Sequence, residues 1–274
     1  MFRSFLQAAL LGRIPRILTR NLRDYLQTSS FGRSNLRQRH AILASKPVSR
    51  TPILCYHKVG PVQEEGRRLN VEPDRLEAHA RYFRRRGYSF GLPRDLGTGW
   101  PVRSVYFTFD DAYTSALTYG REALERVGAF GAFYAVPERV GGVSSWDVGF
   151  ERPLASWDQL LDAAAAGHEI GDHTLTHADL STMEELQQLE EIQGGRQHLL
   201  TRGLNPHSFC YPWGRYSSVT ESVLAGVGYR VALALGKRMA SATDSLLALP
   251  RIVVAYGDAV PMLLYKMHVR PLLP

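Results

Sequence analysis

Val105-Tyr106-Phe107-Thr108-Phe109-Asp110-Asp111 is an apolar run that ends on two adjacent carboxylates. Aromatic and β-branched residues followed by aspartates read as a buried parallel strand entering a βα junction. Working outward, the same alternation continues: from Thr51 onward short apolar runs are separated by amphipathic segments, the pattern of repeated βα units around parallel strands. Strands are expected at 53–57, 105–110, 130–136, 168–172, 208–211, 229–235 and 249–254, seven in all. Helices are expected at about 72–86, 114–127, 156–166, 182–200, 217–225 and 260–269. Gly87, Gly128, Gly167, Gly203 and Gly228 each follow a helical run, where a left-handed cap favours a residue without Cβ. Ser156 and Ser181 stand where helix N-caps belong, and Ser181 has Glu184 three positions on, as in a capping box. Periodicity leaves a closed barrel and an open sheet both standing, but in a parallel barrel functional groups collect where strands end.

The 274 residues, 45% hydrophobic and 22% charged, suit one globular α/β unit with a substantial core. Two cysteines, Cys55 and Cys210, exclude a disulfide scaffold or a multi-cysteine zinc module. The net charge of +7 is concentrated at one end: residues 1–50 hold ten Lys or Arg against the single acid Asp24, and the remainder is slightly acidic. The body therefore offers no electrostatic case for nucleic-acid binding. The expected organisation is a basic amphipathic leader and linker over 1–50 and a catalytic-sized domain over 51–274.

Within the leader, Phe2, Phe5, Leu6, Ala9 and Leu10 share one helical face, and Pro15 separates them from Ile17, Leu18, Leu22 and Tyr25. No apolar run approaches the roughly 18–20 residues of a transmembrane helix, and the match to a secretory signal is poor. Residues 1–27 suit an anionic membrane surface, a helix packed on the domain or an organelle-targeting peptide. A cytoplasmic or peripheral inner-membrane location is the expectation.

Three constellations carry chemistry. Asp110 and Asp111 reach one site only if the chain turns after the strand; otherwise one caps the following helix and the other is solvated. In Gly171-Asp172-His173-Thr174-Leu175-Thr176-His177, two histidines four apart follow another strand. With a carboxylate they complete the ligand set used for Zn²⁺ and related ions, and a second carboxylate beside the metal is what a hydrolase needs as general base. Phe209-Cys210-Tyr211-Pro212-Trp213-Gly214 offers aromatic faces for sugar rings and backbone N–H groups for an oxyanion, or else a tight turn with core aromatics.

Thr108-Phe109-Asp110-Asp111, His173-Thr174-x-x-His177 and Tyr211-Pro212-x-Gly214, in that order, resemble the first three motifs of the NodB-homology polysaccharide deacetylases, carbohydrate esterase family four. Ile53-Leu54-Cys55-Tyr56-His57 is similar to the segment that opens many members, and the resemblance runs from about 51 to 255. It implies a distorted (β/α) barrel of about seven parallel strands, with a divalent ion, zinc or else cobalt or nickel, at its C-terminal mouth. By motif, Asp110 would be the general base, Asp111, His173 and His177 the metal ligands, and the backbone N–H of Tyr211 the oxyanion donor. Tyr211, Pro212, Trp213 and His57 would line the substrate site. The implied reaction is hydrolysis of N-acetyl groups on the amino sugars of a glycan; the alternatives are another acyl or cyclic amide substrate, or a glycan-binding member without turnover.

Two departures stand out. Many members carry Arg where Cys210 stands, and Arg251 on the last strand is the substitute expected to orient Asp110, against the simpler reading of an ordinary ion pair. Many also end in a Leu-x-His motif whose His is the general acid; the stretch Leu247 to Val254 has no His, which leaves the acid unassigned. Trp146 and Trp157 are candidates for flanking a glycan groove, and Cys55 reads as a small apolar core residue.

Overall fold

A computed structural model describes residues 50–273. Readings that fall on the leader, its membrane-facing helix included, lie outside the described residues. Seven parallel strands close into a ring: β1 (Ile53–Tyr56), β3 (Ser104–Phe109), β4 (Gly131–Ala135), β5 (Glu169–Asp172), β6 (Ser208–Cys210), β7 (Val231–Gly236) and β8 (Leu249–Val253). The ring runs β1-β8-β7-β6-β5-β4-β3 and closes through β1–β3, in the register Ile53↔Tyr106 to Tyr56↔Phe109. These are the seven strands expected, within one or two residues at each end.

The sequence reading missed β2 (Ser89–Gly91), which pairs with Ser104–Tyr106 while residues 131–133 pair with the upper half of β3. Three residues that include a glycine carry too little alternation to be seen.

Helices α1 (Pro73–Arg85), α2 (Arg121–Glu125), α3 (Trp157–Ala165), α4 (Glu185–Thr201), α5 (Ser218–Val227) and α6 (Val260–His268) complete the units. Alternation along the strands separates the barrel interior from the apolar clusters outside it. Ile53, Tyr106, Tyr134, Cys210, Leu233 and Leu249 meet in one buried cluster. Leu54, Phe107, Phe133 and Ile252, facing the other way, join helix residues in a second cluster, and Phe209, Tyr211 and Ala232 do so in a third. Ser156 caps α3, accepting from the Gln159 N–H at 3.2 Å while Gln159 Oε1 accepts from the Ser156 N–H at 2.9 Å.

Ser181 is not the cap of α4. It lies in a 3₁₀ turn, Leu180–Thr182, whose Ser181 N–H is held by the Asp179 side chain, and the helix begins three residues later behind Glu184. Among the described residues, no helix is long and apolar enough to cross a membrane.

Candidate metal and hydrolase site

The site forms where β3, β5, β6 and β8 end. Beyond Phe109 the backbone turns sharply, with Asp111 at φ 67° and Ala112 at φ 48°. This left-handed pair defeats the alternation that would send neighbouring side chains apart. Both carboxylates are thereby buried at the barrel mouth, and each enters different surroundings.

Asp110 faces inward to Arg251 of β8. The guanidinium forks onto it, NH1 to Oδ1 at 2.5 Å and NH2 to Oδ2 at 2.7 Å, and is itself held by Thr108 Oγ1 at 3.0 Å and the Ala234 carbonyl at 3.2 Å. Such a bidentate pair fixes direction as well as charge. Both cysteines converge on the same carboxylate: Cys55 Sγ lies 3.4 Å from Oδ2 and Cys210 Sγ 3.3 Å from Oδ1. Burial pushes both thiols up, so they stay protonated and donate.

Cys55 is therefore not merely a small core residue, and Cys210 contributes to the environment of Asp110 beside Arg251, whose NH2 is 2.9 Å from its sulfur. Burial alone would raise the Asp110 pKa; the Arg251 guanidinium more than reverses it and holds the carboxyl well below the usual range. His57, at the end of β1, brings Nε2 to 4.0 Å from Asp110 Oδ2.

Asp111 faces the histidines. His177 Nε2 is 3.1 Å and His173 Nε2 3.5 Å from Asp111 Oδ1, yet that oxygen is buried and makes no hydrogen bond. One ligand atom from each of the three residues lies within 4.8 Å of the others. Two imidazoles and a carboxylate oxygen aimed at one point, with the oxygen orphaned, fit a divalent ion. Burial raises the Asp111 carboxyl and the two imidazoles more than reverse this; burial lowers His177 toward its neutral form, whereas the Asp111 and Asp110 carboxylates raise His173 against its own burial. Ionised carboxylate with neutral imidazole is the state that binds metal.

The second ring nitrogens differ. His173 Nδ1 donates to the Cys210 carbonyl at 2.7 Å, whereas His177 Nδ1 has no partner among the described residues. His177 instead lies between two indoles, stacked on Trp146 with centroids 3.9 Å apart and edge-on to Trp213 at 4.4 Å. Its backbone is left-handed, φ 71°, and its N–H is held by Thr174 Oγ1 at 3.0 Å. Just before His173, Asp172 accepts from Tyr229 at 2.7 Å; burial pushes its pKa up to about 7 against that hydrogen bond.

The structure corrects one expectation directly. The Tyr211 N–H cannot serve an oxyanion, because it donates to the Leu233 carbonyl at 3.1 Å, continuing the barrel ladder into β7. The Tyr211 hydroxyl is likewise engaged, on the Leu247 carbonyl at 2.5 Å. Trp213 is the exposed member of this turn, with φ 53°. Pro212 is buried beneath it. Of the two tryptophans proposed for a groove, Trp146 reaches the site, and Trp157, at the start of α3, is covered by the Arg202 guanidinium at 4.9 Å.

Comparison with known proteins follows the same lines. The sequence model of the polysaccharide deacetylase family matches residues 99–232. The Bacillus subtilis (strain 168) protein YxkH, provisionally named a polysaccharide deacetylase, is 24% identical over 224 residues, 79% of this chain and 75% of its own. Among solved structures, the Streptococcus pyogenes deacetylase PplD, determined with acetate, superposes with a TM-score of 0.69 at 24% identity, covering 81% of this chain and 99% of its own. A de-N-acetylase from Aggregatibacter actinomycetemcomitans gives 0.67 at 16% identity, covering 80% and 100%. Residues 99–232, which bring Asp110, Asp111, His173, His177 and the Tyr211–Gly214 turn to one mouth of the closed barrel, match the polysaccharide deacetylase family.

Proposed function

We propose that this protein is a metal-dependent hydrolase that removes N-acetyl groups from the amino sugars of a polysaccharide or oligosaccharide. The observation that carries the reading is the division of labour between adjacent carboxylates: Asp110 locked by a guanidinium fork, Asp111 orphaned between two imidazole nitrogens. That is the layout of a fixed base beside a metal site. The family match and the de-N-acetylase and acetate-bound relatives agree with it.

Asp111, His173 and His177 would hold the ion, with zinc, cobalt or nickel all suited to the donor set. A divalent ion there supplies polarisation of the acetamide carbonyl and a water acidic enough for a weak base. Asp110 takes the proton of the attacking water, and Arg251 keeps its carboxylate ionised and aimed. The oxyanion donor passes from Tyr211 to the Trp213 N–H. Trp213 is the second residue of the 3₁₀ turn Pro212–Gly214, and the first N–H groups of such a turn have no partner within it. His57 is assigned the proton for the departing amine, since it faces the same carboxylate from β1 and its Nδ1 is unpaired among the described residues. Trp213 would also present its exposed ring to a sugar face.

The test is acetate release from N-acetylglucosamine oligomers by metal-stripped protein resupplied with Zn²⁺, Co²⁺ or Ni²⁺, with Asp110→Asn alongside. Metal-restored release that Asp110→Asn abolishes establishes the reading. A folded, metal-loaded protein that releases no acetate but hydrolyses another acylated substrate overturns the choice of substrate, and one that only binds glycan overturns the enzyme.

A further inference from the structure

We propose that Trp146 is a positioning residue for the metal ligand His177, and that the Tyr113–Asp147 hydrogen bond is the tether that holds it there. The inference rests on the metal-site reading above and concerns a residue outside the three motifs.

A histidine that binds metal ordinarily has its other ring nitrogen held by a carbonyl or carboxylate, which fixes both tautomer and ring orientation. His173 follows that rule through the Cys210 carbonyl; His177 does not, because its Nδ1 is buried without a partner among the described residues. The ring of His177 is confined by another means. Trp146 lies flat against it, 3.9 Å between centroids and 19° between planes, and Trp213 closes the edge at 4.4 Å and 64°. A flat wall at contact distance blocks the imidazole from swinging out of plane, which keeps Nε2 directed at Asp111 Oδ1. Trp213 is half-exposed, so the Trp146 face is the more enclosed of the two walls.

A brace must itself be fixed, and Trp146 sits in a long connection between β4 and α3. That connection is sewn to the residues that follow Asp111. The Thr114 N–H donates to the Pro153 carbonyl at 3.0 Å and the Ala155 N–H to the Ala112 carbonyl at 2.9 Å. The next residue to Trp146, Asp147, is buried and accepts from the Tyr113 hydroxyl at 2.5 Å and from Arg68 at 3.1 Å. One end of this path is two residues from the ligand Asp111, and the other is the indole on the ligand His177. Trp146 thus ties two ligands of the site together through a loop that carries neither.

The experiment titrates the metal-free full-length protein with Zn²⁺ against a competing chromophoric chelator, and with Co²⁺ for its visible absorption, in wild type, Trp146→Ala, Trp146→Phe and Tyr113→Phe. Removal of an orienting partner typically costs about tenfold to a hundredfold in metal affinity. Trp146→Ala is expected to lose that much Zn²⁺ affinity with an altered Co²⁺ spectrum, Trp146→Phe to recover most of both, and Tyr113→Phe to lose a smaller part.

Wild-type Zn²⁺ affinity in Trp146→Ala, with only KM for oligomers raised, would make Trp146 a sugar platform and overturn the proposal. If Trp146→Ala does not fold, unchanged affinity and Co²⁺ spectrum in Tyr113→Phe overturn it equally. Failure of wild type itself to bind Zn²⁺ or Co²⁺ would instead refute the metal reading on which it rests.

Discussion

The two halves of the site are held in opposite ways. Around Asp110 both carboxylate oxygens are satisfied by barrel residues, Arg251 from β8, Cys210 from β6 and Cys55 from β1, and Thr108 from β3 holds the guanidinium. Around Asp111 the side-chain atoms converge on one another with a buried oxygen left over, and the supports of His177 come from loops: Thr174, Trp146 and Trp213. The left-handed residues of the site belong mostly to this second half: Asp111, Ala112, Thr174, His177 and Trp213. Strain of that kind persists only where the surroundings over-determine it. The rigid half fixes the direction of a carboxylate, and the strained half holds polar groups short of partners, the contrast on which the proposed base and ion site rest.

The sharpest test of the contrast is Arg251→Met. It strands a buried carboxylate, so a loss of about 3–5 kcal/mol in urea-unfolding free energy is expected. The double variant Arg251→Met with Asp110→Leu should recover much of it, because breaking a buried pair costs more than removing it. Unchanged stability in the single variant would mean that Asp110 is not confined as described.

Asp111→Asn should behave in the reverse sense. The metal-free protein keeps its unfolding free energy to within about 1 kcal/mol, since the removed charge had no hydrogen-bonded partner on its inner oxygen. Zn²⁺ affinity, read by chelator competition, falls by at least about a hundredfold with the loss of one of three ligands. Loss of stability without loss of affinity would erase the distinction between the halves.

A control lies outside the site. Buried His79 accepts from Tyr56 at Nδ1 (3.0 Å) and donates from Nε2 to the Asp258 carbonyl (2.9 Å), a pattern that requires the neutral ring. Burial pulls its pKa down to about 4 from 6.5. Because the folded value lies below the unfolded one, its contribution is fully present above pH 6.5 and is lost as pH falls toward 4, about 3 kcal/mol. His79→Gln should be less stable at pH 7 and show a flatter stability profile between pH 6.5 and 4 in urea titrations. An unchanged slope would place the acid sensitivity elsewhere.

The smallest effect is expected from Cys210→Ser, whose hydroxyl can replace the thiol toward Asp110. Its unfolding free energy should stay within about 1 kcal/mol of wild type. A larger fall would show that the sulfur's volume, rather than its hydrogen bond, completes the rigid half.

The rigid half was the more legible in sequence. Strand alternation gave the seven barrel strands, and Arg251 stood out as the cation on the last of them. The convergence of Cys55 and Cys210 was not legible, because β1 and β6 are not neighbours in the ring and meet only across its interior once it closes. The loop half yielded its ligands through their spacing but not its supports. Trp146 lies in an aperiodic connection, and neither the left-handed turn at Trp213 nor the engagement of the Tyr211 N–H by the barrel ladder is announced by residue types. Ser181 was misread for a similar reason, since a 3₁₀ turn and a helix start share their capping residues.

Closure of the ring has a consequence for the order in which the molecule is made. Asp110 leaves the ribosome 141 residues before the arginine that neutralises it, and β1 obtains its second neighbour only when β8 arrives. Until then the nascent barrel has an open edge and a carboxylate with no countercharge in its interior, both of which favour solvent over burial. The last strand therefore acts as a latch: the proposed proton acceptor becomes buried and aimed in the same event that completes the fold, so a chain stalled or cut before β8 should be recognised as unfinished rather than persist as a slow enzyme.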